Sequence, residues 1–226
     1  MTNTLHRFGK PESLRDDFIV FISTSRGVNE IGSPEKIHTF LEASVKYNPI
    51  NIGHGLVGSL YRPEKDLSLT KVYLKGRKEQ ITPREAIDTL DEPGIAAVVF
   101  DNKEAMEGFI KDVKALDLGL SVNVSALVEE AKEACRNNHI ALHSIEYSLG
   151  FHGDLDRLPD HHVLSLTTMC GHGLISADFA KKMITRIKES RLSPEKAAKY
   201  MAKFCTCGAF NTTRAVRLLN EARMSN

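Results

Sequence analysis

The chain has 226 residues, of which 42% are hydrophobic and 26% are charged, the composition of an ordinary globular protein rather than a disordered one. Its 30 basic and 29 acidic residues leave a formal charge of +1, so the sequence lacks the basic excess that is typical of nucleic-acid-binding and membrane-surface proteins. The first 17 residues contain no apolar signal core, and no window approaches the roughly 18 apolar residues of a membrane span, which predicts a cytoplasmic protein.

Residues 1–92 form the first predicted region, which is of α/β type. A continuous apolar run at residues 18–23 predicts a buried strand. The sequence Ser-Pro-Glu at residues 33–35 then provides a cap, a first-turn proline and a first-turn acid for a helix that ends near residue 48. Arg26 lies in the polar, glycine-containing loop between them. It is a candidate substrate-binding residue, because a helix N-terminus and its backbone N–H groups favour anions.

The remainder of this first region carries weaker signals. His54 stands between two glycines, where a side chain can approach a ligand, although a solvated loop histidine is the more frequent case. A short strand is predicted at residues 70–75. A capping box at residues 82–85 predicts a short helix through residue 90, and a turn at residues 91–94 marks the boundary of the region.

Residues 93–165 are predicted as a βαβαβ region, with strands at residues 95–100, 120–124 and 139–147 and two amphipathic helices between them. This alternation predicts right-handed crossovers and an α/β fold with a mainly parallel or mixed sheet flanked by helices. A split ferredoxin-like arrangement is the alternative. Cys135 falls on the apolar face of the second helix, which is typical of a core residue.

A polar loop at residues 150–162 contains three histidines and three aspartates: His152, Asp154, Asp156, Asp160, His161 and His162. Side chains at this density can bind zinc, iron or manganese, but much of the loop has the composition of a solvated turn. We therefore expect His152 and Asp154 to serve in proton transfer beside a cysteine site rather than as direct metal ligands.

Three of the four cysteines lie in residues 166–226, which are predicted to form a helical hairpin that carries a cysteine cluster. Cys170 follows a predicted strand at residues 163–168, and Cys205 and Cys207 follow the second helix of the hairpin. Two helices of roughly 11 to 15 residues return the chain close to its starting point, so the three thiols are expected to converge.

Clustered cysteines in a reducing compartment are more typical of metal or redox sites than of disulfides. The first hypothesis is a [4Fe-4S] cluster held by Cys170, Cys205 and Cys207, with one iron open to a substrate. His172 and Arg214 then become candidates for proton transfer and for binding a substrate carboxylate. This hypothesis predicts a lyase, either a hydro-lyase or a desulfurase, that acts on a small anionic substrate.

The alternative is a four-coordinate zinc held by the same three cysteines and His172, in a non-catalytic protein whose metal supports partner or subunit contacts. Two further interpretations are metal-free thiol chemistry at Cys205 and Cys207, and cysteines that are incidental to turns formed by the glycines.

The three-cysteine pattern is similar in outline to the site-differentiated clusters of aconitase-like hydro-lyases, but its spacing and the chain length differ, so no residue role is transferred. The expected partner is a small molecule rather than nucleic acid or a membrane, and a homo-oligomer is compatible with the sequence.

Overall fold

The structure, a computed structural model, describes residues 7–55, 58–61, 81–88 and 93–225. Its strands are β1 (Phe18–Ser23), β2 (Asn51–His54), β3 (Gly58–Ser59), β4 (Ile95–Phe100) and β5 (Ser121–Ser125). Its helices are α1 (Pro11–Leu14), α2 (Ser33–Val45), α3 (Pro83–Ile87), α4 (Lys103–Leu116), α5 (Val128–Asn137), α6 (His161–Thr167), α7 (Ala177–Lys188), α8 (Pro194–Ala202) and α9 (Thr212–Met224). The predicted strand at residues 70–75 lies outside the described residues.

The five strands of the described residues form one sheet in the order β3-β2-β4-β1-β5, and every neighbouring pair is antiparallel. The prediction of a mainly parallel or mixed sheet is therefore wrong. β1 and β2 run in the same direction, as do β4 and β5, but each of these helix-connected pairs has an antiparallel strand between its members. This is the split β-α-β arrangement, which agrees with the ferredoxin-like alternative. β4 begins after the predicted boundary at residue 92, yet it pairs with strands that precede that boundary.

Residues 139–147, which were expected to form a further strand, do not join the sheet. They have no regular secondary structure, and residues 141–147 are all exposed. The N–H group of Ile140 donates to the Cys135 carbonyl oxygen at 2.8 Å, which closes the turn that follows α5. An alternating pattern describes a residue's preference for a strand, but it does not supply the neighbouring strand that the backbone must pair with.

Residues 163–168, also predicted as a strand, lie almost entirely within helix α6. The Asp160 carboxylate accepts hydrogen bonds from the backbone N–H groups of His162 at 3.0 Å and Val163 at 3.2 Å, and these bonds cap the first turn. A short apolar run has the same pattern in a buried helix as in a buried strand, and here the capping residue decides between them. Cys170 therefore follows a helix rather than the carboxyl end of a strand.

One face of the sheet packs against α2 and α4. The Phe109 ring of α4 has its centroid 4.9 Å from that of Phe40 in α2 and 5.4 Å from that of Phe100 in β4. The predicted amphipathic pattern of α4 is confirmed in its buried residues, which are Met106, Phe109, Ile110 and Val113. Aromatic packing thus joins both crossover helices to the centre of the sheet.

The C-terminal region covers the opposite face. The Asn51 side chain of β2 donates from Nδ2 to the Phe210 carbonyl oxygen at 3.0 Å, which ties the sheet to the loop before α9. Helices α7 and α8 form the predicted hairpin, and α9 packs against α6, α7 and α8. Because both faces are covered, all six residues of β1 are buried.

We expect Phe109→Ala to lower the free energy of unfolding by about 3–5 kcal/mol, because it removes the ring that joins α2, α4 and the sheet. Leu116→Ala is the matched control, since Leu116 lies at the end of the same helix and is 39% exposed. Urea unfolding monitored by circular dichroism measures both. Equal losses for the two variants would contradict the packing described here.

Candidate functional site

Cys170 lies in the loop that connects α6 to α7. The N–H group of Gly173 donates to the Cys170 carbonyl oxygen at 3.0 Å, and Gly173 has a φ of +65°, which a glycine adopts at little cost. Ser176 then caps α7 by accepting a hydrogen bond from the Phe179 N–H group at 3.2 Å. These local interactions hold the Cys170 loop as a tight turn over the start of α7.

Cys205 and Cys207 lie in the loop that connects α8 to α9. The Cys205 N–H group donates to the Ala202 carbonyl oxygen at 3.1 Å, and the Gly208 N–H group donates to the Cys205 carbonyl oxygen at 3.3 Å. Gly208 also has a positive φ, of +72°. The loop therefore turns sharply, and it does so at the end of the hairpin where α7 begins.

The hairpin brings the three thiols and His172 together in a row. The Cys205 and Cys207 sulfur atoms are 3.9 Å apart, and the Cys207 sulfur is 3.8 Å from Nδ1 of His172. The Cys170 thiol shares a hydrogen bond with Cys205 at the other end of the row. All three thiols are free and buried, whereas His172 is exposed, so the row opens to solvent at its histidine end.

Hydrogen bonding within the row separates the protonation states of its members. The bond with Cys205 lowers the pKa of Cys170 to about 6, with further lowering by the backbone N–H groups of Leu174 and His172 and opposition from burial. The pKa of Cys205 is raised, because its thiol is bonded to both neighbouring sulfurs and is buried. Cys205 thus remains the protonated member.

At the histidine end of the row, the pKa of the thiol is lowered and the pKa of the imidazole is raised. Hydrogen bonds from Cys205 and His172 lower the pKa of Cys207, and the N–H group of Ala209 contributes to the same effect. The contact with Cys207 in turn raises the pKa of His172. The hydrogen bonds of the row thus lower the pKa values of Cys170 and Cys207 and raise those of Cys205 and His172. A lowered thiol pKa favours the thiolate, which is the form that binds metal.

The four side chains are adjacent, but they do not yet form a closed cage. In the described part of the chain, no group of three or more His, Cys, Asp or Glu side chains already has the arrangement of a metal-binding site. A row of three consecutive contacts differs from a tetrahedron, in which every donor is equally close to the others. Closing it requires rotation of at least one side chain.

Backbone contact with the sheet holds the Cys205–Cys207 loop in place. A Cβ atom on Gly53 of β2 would lie 2.7 Å from the Cys207 carbonyl group, and one on Gly208 would lie 2.6 Å from Gly53. Both positions therefore require glycine. The adjacent residue His54, considered above as a ligand-approaching side chain, is fully buried, and by strand alternation it points to the other face of the sheet.

Arg7 connects the two cysteine loops, and sequence reasoning did not identify it. Its Nη1 atom donates to the Met169 carbonyl oxygen at 2.9 Å, and its Nη2 atom donates to the Ala209 carbonyl oxygen. Its Nε atom is 2.7 Å from a carboxylate oxygen of the buried Asp17. No local pattern marks this residue, because its partners are 10 to 202 positions away in the chain.

Arg214, predicted to bind a substrate carboxylate, is fully buried and bonded to protein groups instead. Its Nη1 atom donates to the Asp17 carboxylate at 2.9 Å, its Nε atom donates to the Ser13 carbonyl oxygen at 2.9 Å, and its Nη2 atom donates to the Phe8 carbonyl oxygen at 2.8 Å. The structure thus places Arg214 as an anchor for the segment that precedes β1. Asn211 caps α9, and its Nδ2 atom also donates to Asp17 at 3.0 Å.

The other predicted site residues lie elsewhere on the molecule. His152 and Asp154 are exposed on the segment that precedes α6, and Arg26 is exposed in the loop after β1. In the described part of the chain, no hydrogen bond or ion pair joins any of these three side chains to the thiols. Cys135 is buried in α5, apart from the row, in the position expected of a core residue.

Comparison with known proteins adds no relative: no family model, no curated protein and no solved structure matches the chain. Among the described residues, no helix is long and apolar enough to span a membrane. The functional assignment therefore depends on the geometry and chemistry of the site.

We expect Gly53→Ala to displace the Cys205–Cys207 loop, because the added methyl group would overlap the Cys207 backbone. Labelling of the native protein by an aromatic disulfide reagent should become roughly tenfold faster, and the free energy of unfolding should fall by about 1–3 kcal/mol. Gly55→Ala is the control, since the nearest atom to its added Cβ is 3.8 Å away. Unchanged labelling of Gly53→Ala would show that the close approach does not protect the thiols.

We expect Arg7→Ala to lower the free energy of unfolding by about 3 kcal/mol, because it removes one partner of a buried ion pair and releases two loop carbonyl groups. Arg15→Ala removes an exposed arginine from the same segment and should change it by less than about 0.5 kcal/mol. Chemical unfolding followed by circular dichroism measures the difference. A loss for Arg7→Ala as small as that for Arg15→Ala would argue against the connecting role of Arg7.

Proposed function

We propose that this protein holds a metal centre through the thiolates of Cys170, Cys205 and Cys207. The observation that carries the proposal is the contact between three buried, unbridged thiols at the meeting point of two loops. Hydrogen bonds lower the pKa values of Cys170 and Cys207, and a buried thiolate is unfavourable unless a positive charge compensates it. A bound cation would do so.

Backbone N–H groups directed at the sulfur atoms support the same proposal. The N–H groups of His172 and Leu174 lie at the Cys170 sulfur, and the N–H group of Ala209 lies at the Cys207 sulfur. Such hydrogen bonds stabilise thiolate ligands and tune the metals they hold.

Two of the separations in the row are close to those found around a single tetrahedral ion. Two thiolates on one zinc ion stand about 3.8 Å apart, and a thiolate and an imidazole nitrogen about 3.5 Å apart, given the usual bond lengths. The separations of 3.9 Å between Cys205 and Cys207 and 3.8 Å between Cys207 and His172 are close to these values. The donor set, three cysteines and one histidine, is a common one for structural zinc.

A centre of this kind would join the loop after α6 to the loop after α8, over the sheet. Four protein ligands leave no open position, so the expected role is structural: metal binding contributes folding energy to the C-terminal region. The protein would then act through partner or subunit contacts of that region rather than through chemistry at the metal.

The second candidate is the three-cysteine [4Fe-4S] cluster of a lyase or desulfurase that acts on a small anionic substrate. Its supporting observation is His172, which is exposed at the open end of the row and whose pKa is raised, so it can carry a proton where a substrate would enter. The cysteine sulfurs around such a cluster are about 6–7 Å apart, so they would have to separate from their present contact. His152 and Asp154 stay candidates for proton transfer under this proposal.

The first experiment is to purify the protein without oxygen and to measure its metal content and visible absorption together. One zinc per chain and no visible colour supports the tetrahedral site. A content of about four irons per chain, together with a broad absorption band at about 400 nm, supports the cluster and directs substrate screening towards dehydration and desulfurisation. A protein that contains neither metal and binds neither on reconstitution would refute the metal centre and leave thiol redox chemistry as the interpretation.

Cys205→Ala should abolish stoichiometric metal binding, because Cys205 contacts both other thiols and is fully buried. Cys135→Ala is the matched control, a buried cysteine outside the row, and should retain one metal centre per chain. Metal analysis after gel filtration gives both values. Full metal content in Cys205→Ala, or loss of metal in Cys135→Ala, would place the site elsewhere.

A further inference from the structure

Exposed apolar side chains are concentrated on one part of the surface. Of the thirteen large apolar side chains that are exposed in the described residues, seven belong either to β5 or to residues 142–155. They are Val122, Leu142, Ile145, Tyr147, Leu149, Phe151 and Leu155, and they are between 40% and 82% exposed. We call β5 together with residues 140–155 the edge face. Exposed apolar surface on this scale marks an interaction site.

The edge face includes an open edge of the sheet. β5 is the last strand in the sheet order, and no further strand follows it in the described part of the chain. Residues 118–128 contain neither a charged residue nor a proline, the two devices that commonly prevent an edge strand from pairing with another chain. A groove of ≈ 670 Å³ is lined by both β5 and residues 140–148.

The second component of the edge face is an extended segment that belongs to no sheet of the described residues. Residues 141–151 are exposed and have no regular structure. Apolar side chains alternate at Ile145, Tyr147, Leu149 and Phe151, which is the pattern of a strand with one buried side. The segment thus has the sequence of a strand but no partner strand among the described residues. A strand from another chain could pair with it.

We propose that the edge face is the interface at which a second copy of this chain binds. The seven side chains present roughly 700 Å², at about 200 Å² for a fully exposed large apolar residue, close to the ~800 Å² per partner of a standard interface. Residues 140–151 contain one acidic and no Lys or Arg side chain, and a low charge is typical of homodimer interfaces rather than of transient ones.

A twofold axis would use both components of the edge face at once. The open edge of β5 in one copy would pair with the extended segment of the other, and the reverse pairing would follow by symmetry. Each copy then supplies the strand that its partner lacks, and the apolar side chains of both become buried. None of the residues of the cysteine row belongs to the edge face, and the strand pairing does not use the metal centre.

Sedimentation velocity of the full chain between about 1 and 100 μM tests the proposal, and a dimer is expected. The double variant Tyr147→Asp with Leu149→Asp should raise the dimer dissociation constant at least 100-fold, because it buries two carboxylates in the interface. The control is Val28→Asp with Ile31→Asp, which changes side chains that are 82% and 92% exposed in another loop and should leave the dimer intact.

Val122→Lys gives an independent second variant, since a lysine on the outer strand opposes edge pairing without altering the extended segment. Each variant is expected to fold, because all the substituted positions are exposed. A circular dichroism spectrum that matches that of the unchanged protein establishes this. A wild-type chain that remains monomeric throughout the concentration range would overturn the proposal. So would a dimer that withstands both edge-face variants while folded, or one that the control pair disrupts.

Discussion

The buried carboxylate of Asp17 is the group on which the rest of the structure depends. It lies just before β1, is 2% exposed, and receives the guanidinium groups of Arg7 and Arg214 together with the amide of Asn211. These partners lie far apart in the sequence, so one carboxylate ties the segment before β1, strand β1 itself and helix α9 together. Removing the Asp17 carboxylate would leave two buried guanidinium groups without a counter-charge, which is strongly unfavourable.

That anchor determines where the cysteine loops can lie. Arg7 reaches from Asp17 to the carbonyl oxygens of Met169 and Ala209, one beside each cysteine loop, while Gly53 of the sheet contacts the Cys207 backbone directly. Hydrogen bonds from Arg7 and backbone packing against the sheet thus bring the two cysteine loops together. The proposed metal centre would add a further connection between these loops.

The wrong prediction of a parallel sheet has a physical explanation. The residues of β1 form a continuous apolar run, which is typical of the strands of parallel sheets, because helices cover both faces of such sheets. Here the crossover helices α2 and α4 cover one face, and the C-terminal cysteine region covers the other. An antiparallel sheet buried on both sides has the same apolar run, so the pattern reports burial correctly but does not report strand direction.

By itself, the sequence determined the features that depend on neighbouring residues. The amphipathic helix α4, the Asn211 cap of α9 and the helical hairpin that returns Cys205 towards Cys170 all follow from periodicity and capping over a few turns. Only the tertiary structure decided the strand order, the burial of Arg214 as an anchor and the role of Arg7, because these depend on partners many residues away. It also showed that residues 139–147 have a strand pattern without a strand partner, since hydrogen bonding between strands is a property of two segments and not of one.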